Sequence, residues 1–421
     1  MAKKKKGKKG KKGGKKAEPV YTTPKILDER EKMFCPRMGD IYARKMQVDE
    51  ILEDVAFKTL IKCMQKKLQR ANIANMRLAS LPSEMDQMIP DLQQLTELNL
   101  ARNNLFEITP VFDLLCQLKN LKVLNCCENF LNGPMPASIG AMDSLEELNL
   151  GTNQITSLPS EIGNLQKMRI INLSDNSIKE IPVEAREWKE VRSINFRNNK
   201  IGTIDGFLEN WKNIESLKLG SNLLTAIPEE ISTCVELKVL DLSQNAITEV
   251  PDAMAMCANL KSINLGQNKL TGVPSDMLCM LTTLTDLQLY KNKITEVPPE
   301  IGNLTNLQRL SLASNNVKSL PEEIGACTSL QELYMSNNAK FSSLPGSAGH
   351  LKMLRDLVCR KCPALKALPG TMEELTSLRE LDVRAAKKQV CKIAPEVADQ
   401  FKKAGCMVRG GVVKKGKKGK K

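Results

Sequence analysis

The sequence predicts an α/β solenoid: short parallel strands along one face, irregular or helical returns behind them, and a helical cap at each end. Three observations carry this expectation. A nine-position pattern, L-x-x-L-x-L-x-x-N, recurs down most of the chain. From Asn153 to Asn268 successive copies stand 23 residues apart every time. The two ends, unlike anything between them, are blocks of lysine and glycine without an acid.

The copies run in order. LTELNLARN ends at Asn103, LKVLNCCEN at Asn129, LEELNLGTN at Asn153, MRIINLSDN at Asn176, VRSINFRNN at Asn199 and IESLKLGSN at Asn222. Five more bring the asparagine to Asn245, Asn268, Asn292, Asn315 and Asn338. LRDLVCRKC then puts Cys362 in the asparagine place, and a last strand, LRELDV, starts at Leu378. Upstream, LQRANIANM is a degenerate first copy with Met76 in that place. The x-L-x-L-x stretch has the period of two that sends alternate side chains to opposite faces of a strand. The asparagine can bond loop backbone groups that would otherwise be buried without partners. No copy can bury its own apolar face, so stacking builds one continuous core. About fourteen strands spaced at about 4.8 Å predict a parallel concave sheet on the order of 60 Å long.

Between the strands, ITSLPSEIGNL (155–165), ITEVPPEIGNL (294–304) and VKSLPEEIGAC (317–327) share a second signature. Together with the nine-position pattern it resembles the leucine-rich repeat family, in its 23-residue intracellular type. The resemblance covers residues 68–385, about thirteen repeats. It implies a horseshoe solenoid that binds proteins on its concave face. It is also similar to Ras-pathway leucine-rich repeat scaffolds and to axonemal leucine-rich repeat proteins.

A solenoid needs caps. Residues 49–68 place Ile51, Leu52, Val55, Ala56, Leu60, Ile61, Met64 and Leu68 on one helical stripe, which predicts an N-terminal capping helix. PEVADQFKKAG (395–405) predicts a C-terminal one, with proline at the first helical position and Gly405 as its stop. Residues 406–408 are expected to close the last strand. The organisation expected is a disordered Lys/Gly tail over 1–18, a linker and capping helix over 19–67, the solenoid over 68–385, a C-terminal cap over 386–408 and a second disordered tail over 409–421.

Residues 1–16 hold ten lysines and residues 409–421 hold six lysines and Arg409, against a chain total of +14. The body between the ends is therefore slightly acidic, and the cations belong to the tails. With one histidine, His350, the chain offers little to a Ser-His-Asp triad or a histidine metal site. No apolar run is long enough to span a membrane. No export signal precedes the thirteen cysteines, so reduced thiols in a cytoplasmic setting are expected. No Gly-rich phosphate loop is present. These readings predict no catalytic residue, no metal, no cofactor and no small-molecule substrate.

Several local motifs have two readings. Cys359 and Cys362 form a CxxC that is either two buried repeat thiols or a redox or zinc pair. Trp188 and Trp211 fall at the place of Leu165 in consecutive repeats, as core packing or as interface anchors. Arg192–Phe196, RSINF, resembles a phosphatase-docking motif, yet Phe196 sits at an inward position. The concave face takes positions three, five and seven of the pattern, and its richest stretch is C-terminal: Tyr290, Arg309, Tyr334 and Arg360 project from four consecutive repeats, beside Asp286 and Asp356. Tyrosine and arginine commonly anchor interfaces, so a folded protein partner is expected here. Lys3, Lys4, Lys5, Lys6, Lys414, Lys415, Lys417 and Lys418 are expected to hold an anionic surface with strong salt dependence. Lys/Gly ends on a repeat body resemble those of ciliary axonemal proteins. The expected function is thus a non-catalytic scaffold within a larger complex, anchored on an acidic polymer such as axonemal microtubules. The alternatives are a signalling adaptor for a small GTPase or phosphatase, and a nuclear or RNA-associated interaction protein.

Overall fold

The structure is a computed structural model that describes residues 53, 55–82, 84–385 and 390–413. The chain divides into two units, Met1–Ile51 and Leu52–Lys421, and every described residue belongs to the second. Residues 1–52 and 414–421, with the lysines expected to bind anions, lie outside the described residues.

Positions three to five of each copy form a three-residue strand, and fifteen such strands join in one parallel sheet from Arg70–Asn72 to Met407–Arg409. Neighbours pair in register, position four against position four: Leu98 against Leu124, Leu310 against Leu333. That residue points inward, and from Ala71 to Leu381 it is buried in every strand. The leucines at positions one and six join it, so the core runs unbroken through the stack. This is the solenoid that the periodicity predicts.

Two devices let each copy turn back. The residue at position eight takes the left-handed conformation in thirteen successive copies, from Asn75 (φ 59°) to Lys361 (φ 54°), and none of these is glycine. The asparagine at position nine then reaches inward. Asn268 donates to the carbonyls of Leu242 (2.9 Å) and Leu265 (3.1 Å) and accepts from the N–H of Ile247 (3.1 Å). Each asparagine in this way stitches its own copy to the one before, satisfying carbonyls and an amide that water cannot reach. Cys362 imitates the donor half, with Sγ 3.2 Å from the carbonyl of Met335.

The returns behind the sheet are mostly five-residue 3-10 helices, such as Ser160–Asn164 and Pro299–Asn303, each entered through an extended proline. Glycine in this segment permits stacking: a Cβ on Gly163 would stand 2.5 Å from the carbonyl oxygen of Glu184 in the next copy. Arg186 occupies the equivalent place one copy later. There the neighbouring return, IDGFLENW, lacks the proline pattern, and the Arg186 guanidinium lies under Gly206 and 5.6 Å from the centre of the Phe207 ring.

Both ends carry helices. Residues 55–66 are helical and bury Ala56, Leu60 and Cys63. Phe57, Ile61 and Met64 pack partly against the same core, whereas Val55 and Leu68, counted in the expected stripe, are exposed, Val55 at the start of the helix and Leu68 beyond its end. At the other end Pro395–Lys403 buries Val397 and Phe401. The strand pairing then continues beyond residue 408, where the second tail was expected to begin. Arg409 ends the last strand of the sheet, and Val412–Val413 pairs with Lys392–Ile393. Gly410 (φ 81°) and Gly411 (φ 88°) supply the turn between them, a conformation other residues seldom adopt.

Candidate protein-interaction face

The sheet face that carries positions three, five and seven is the surface on which the chemistry-bearing side chains collect. At position three of the C-terminal copies the residues run Asp286, Arg309, Glu332, Asp356 and Glu380. Arg309 bridges its two neighbours, with Nη1 2.9 Å from Asp286 and Nε 2.7 Å from Glu332. The hydroxyl of Tyr334 also donates to Glu332, at 3.0 Å. The structure therefore brings Arg309 and Tyr334 together through a carboxylate that the sequence reading did not single out. The hydrogen bond from Arg309 holds the Glu332 carboxyl below its usual range. Burial, helped by the bond to Glu332, pushes the Tyr334 hydroxyl up to about 12.

Tyr290 stands apart from this cluster. Its ring lies against Gly266 in the preceding copy, where an added Cβ would fall 2.3 Å from Cε1. Arg360 belongs to a third group. Its Nε is 3.6 Å from Asp382, a buried carboxylate that Arg384 grips with Nη2 at 2.6 Å and Nε at 3.0 Å. Burial opposes the charge on Asp382, but the bonds from Arg384 outweigh it and the carboxyl titrates below its usual range. The four expected anchors thus fall into three separate groups along one sheet face. Between the Arg309–Tyr334 group and the Arg360 group lies Asp356, whose carboxylate makes no ion pair or hydrogen bond among the described residues, while its backbone N–H donates to the carbonyl of Gln331. Burial first, then the flanking charges of Glu332 and Glu380, push its carboxyl above the ordinary range.

Charge alternation explains why these residues are legible only in part. Long side chains one strand apart, about 4.8 Å, reach each other whenever their signs differ. The sequence shows the types, but the pairing of Arg309 with both neighbours needs the register. Position five carries a further role the sequence conceals: Asn99, Asn125, Asn149 and Asn195 each accept the N–H of the residue two positions on. These asparagines end their strands as well as lining the surface.

The remaining motifs resolve as packing. Trp188 and Trp211 are fully buried and stacked, with ring centres 6.1 Å apart and an 11° interplanar angle. Their indole N–H groups donate to the carbonyls of Ile162 (2.9 Å) and Ala185 (3.0 Å). Phe196 is buried, which folds the RSINF segment into the core. Cys359 and Cys362 are buried, and burial pushes both thiols up. The same cause takes Cys257 and Cys327 to about 12. Among the described residues, no three His, Cys, Asp or Glu side chains gather where they could hold a metal. Nor is any described helix long and apolar enough to cross a membrane.

Comparison with known proteins agrees with this geometry. Residues 119–178 and 189–247 match the family described as leucine rich repeat, and residues 259–394 match the one described as leucine-rich repeat region. Among solved structures, a leucine-rich repeat protein of Leptospira interrogans is 28% identical with a TM-score of 0.65, covering 83% of this chain and 98% of its own. A plant peptide hormone receptor, RGFR1 in complex with RGF2, is 24% identical with a TM-score of 0.64, over 79% of this chain and 57% of the receptor. The functional domain of InlJ of Listeria monocytogenes is 20% identical with a TM-score of 0.63, over 78% of this chain and 69% of that domain. The last two likenesses concern the fold alone, and this chain spans less than two thirds of the plant receptor's length. Among curated proteins no sequence match is found. Leucine-rich repeat domains generally mediate protein–protein interaction, and this chain belongs to that family.

Proposed function

We propose that the protein is a non-catalytic scaffold of the 23-residue intracellular type. It grips a folded protein partner on the C-terminal half of its sheet face, and its lysine-rich ends hold it on an acidic polymer, the microtubules of a ciliary axoneme. One observation carries the partner site: Arg309 and Tyr334 are both locked on Glu332, so two anchor-type side chains are held in place before any partner arrives. Side chains already ordered lose less entropy on binding. The tail reading rests on sequence, on sixteen lysines placed in two acid-free blocks. Such blocks attract dense negative charge and let go as salt rises.

Microtubule co-sedimentation of the whole chain against residues 19–413 tests the anchoring, the shorter form keeping the Val412–Val413 pairing. Pelleting of the whole chain alone, lost between low and moderate salt, is the expected result. Equal pelleting of both forms dismisses the tails as anchors. Pull-down from ciliated cells with Tyr290→Ala/Tyr334→Ala tests the partner site separately, and undiminished recovery of the partner dismisses it. A signalling adaptor would instead show nucleotide-dependent capture of a small GTPase. Its phosphatase arm finds no support in a motif whose phenylalanine is buried.

A further inference from the structure

The two ends of the sheet are closed differently. At the first strand the capping helix meets the outer edge: Cys63 Sγ donates to the carbonyl of Arg70 at 3.6 Å, and Ala71, the inward residue, is buried. At the last strand, Met407–Arg409, the helix Pro395–Lys403 lies instead behind the sheet, against the preceding return Gly370–Glu374. The strand register shows which groups are left over. Met407 donates its N–H to the carbonyl of Arg379 (2.7 Å), and the carbonyl of Arg409 accepts from the N–H of Val383 (2.9 Å). These alternate residues face the strand Glu380–Asp382, so the N–H and C=O of Val408 between them point away from the sheet. Neither finds a partner among the described residues. Val408 stands opposite Leu381 and so takes the inward position, yet it is 40% exposed where Leu381 is fully buried, because no further copy covers it. Met407 and Val412 beside it are exposed as well. An open strand edge with an uncovered core residue is a template for one more strand.

Charge decides whose strand it is. From residue 386 to residue 421 the sequence holds eleven lysines and Arg409 against two acids, Glu396 and Asp399. A second copy of this chain, pairing edge to edge, would bring two such blocks together for the sake of a three-residue strand on each side. A segment rich in carboxylates gains from the same charges that keep a second copy away.

We infer that the Met407–Arg409 edge receives one extended, acidic segment of a partner protein as a sixteenth strand of the sheet. Its backbone bonds the N–H and C=O of Val408, an aliphatic side chain covers Val408, and its carboxylates meet the lysines around the edge. This edge is the end of the solenoid, separate from the sheet face that carries Tyr290–Arg360, and stands whether or not that face binds.

The register supplies its own control. The Val408 N–H makes no bond inside the sheet, so Val408→Pro removes the outward donor and leaves the pairing with Glu380–Asp382 in place. Val408→Ile keeps the donor and the inward side chain. The probe is a phage library of twelve-residue peptides with valine or isoleucine at odd positions and glutamate or aspartate at even ones, selected on the full chain at moderate salt. Enriched peptides should bind Val408→Ile as they bind the natural chain and lose affinity at least ~10-fold on Val408→Pro. They should also slow deuterium exchange of the Val408 amide, which attraction to the lysines alone does not do. This second readout uses the natural chain and decides even where Val408→Pro fails to fold. Peptides that bind Val408→Pro as well as the natural chain are held by the lysines alone and overturn the inference. So do a Val408 amide already protected without peptide, one that a bound peptide leaves exchanging freely, and a selection that enriches nothing over a blocked support. A natural chain that sediments as a dimer, and as a monomer once Val408→Pro is made, assigns the edge to a second copy and overturns it too.

Discussion

The ring of Tyr290 lies directly against Gly266 of the preceding copy, with Cε1, Cζ and Cδ1 all within 2.7 Å of where a Cβ would stand. Glycine at position seven is therefore what lets the tyrosine lie flat on the sheet.

Gly266→Ala is expected to lift the ring without breaking the fold. The clash is with the mobile end of a half-buried side chain, and Gly266 needs no positive φ. Stability should change by less than about 1 kcal/mol. Partner recovery should fall as far as it does for Tyr290→Ala. A variant that keeps full recovery would show that the flat pose of Tyr290 is irrelevant to binding.

The row Glu332–Asp356–Glu380 predicts opposite pH behaviour for neighbouring carboxylates. Glu332 is held below its ordinary 4.5 by Arg309, so its stabilising contribution is complete above about that pH and fades as pH falls through the folded value. Asp356 is pushed above its ordinary 3.8 by burial and like charge. Its ionisation therefore costs stability at neutral pH, and the cost disappears as pH falls through the raised value and then below 3.8. Asp356→Asn should stabilise the protein at pH 7 by about 0.2–1 kcal/mol, the scale of like charges facing across strands. Urea titrations at about pH 7 and pH 3 check this. The gain should vanish in the acid titration, and an equal gain at both pH values would assign it to something other than charge.

The buried asparagines predict a large local penalty. Asn268→Ala removes two donated bonds and leaves the Ile247 N–H without its acceptor in a site closed to water. A cost of about 2–4 kcal/mol is expected from the lost bonds and the stranded groups. Denaturant unfolding measures it, and a loss below about 1 kcal/mol would mean that water or a backbone shift replaces the asparagine.

What could be read in advance follows from how strictly each feature is tied to residue type. A leucine period of two and an asparagine closing the nine-position pattern every 23 to 26 residues admit one backbone path, so the strands, their parallel order and the buried tryptophans were legible. The final strand lies one residue from where the sequence puts it, at Met407–Arg409, and its continuation to Val413 is obscured by the lysines that follow. The candidate face was legible only as a list of types. Tyr290, Arg309, Tyr334 and Arg360 project as expected, yet the residue that organises two of them is Glu332, and only strand register reveals it. The second role of the position-five asparagines stayed hidden because a side chain that bonds its own backbone looks, in sequence, like any surface amide.

Position eight gives the least legible feature and a prediction of its own. Its left-handed backbone is imposed by the fold on residues as different as Glu128, Thr152, Gln244 and Lys291. Asparagine tolerates that conformation, and Asn75, Asn198 and Asn337 use it. Thr152, at φ 57°, is β-branched, and its side chain crowds the backbone there. Thr152 is exposed, so its replacement removes little packing. Thr152→Asn should stabilise the protein by about 0.5–1 kcal/mol, and Asn75→Val, at an exposed position of the same conformation, should destabilise it by at least as much. The pair is decisive because the two substitutions move in opposite directions at equivalent sites. Urea midpoints that shift the same way for both would show that the strain is relieved by neighbouring residues and is not carried at position eight.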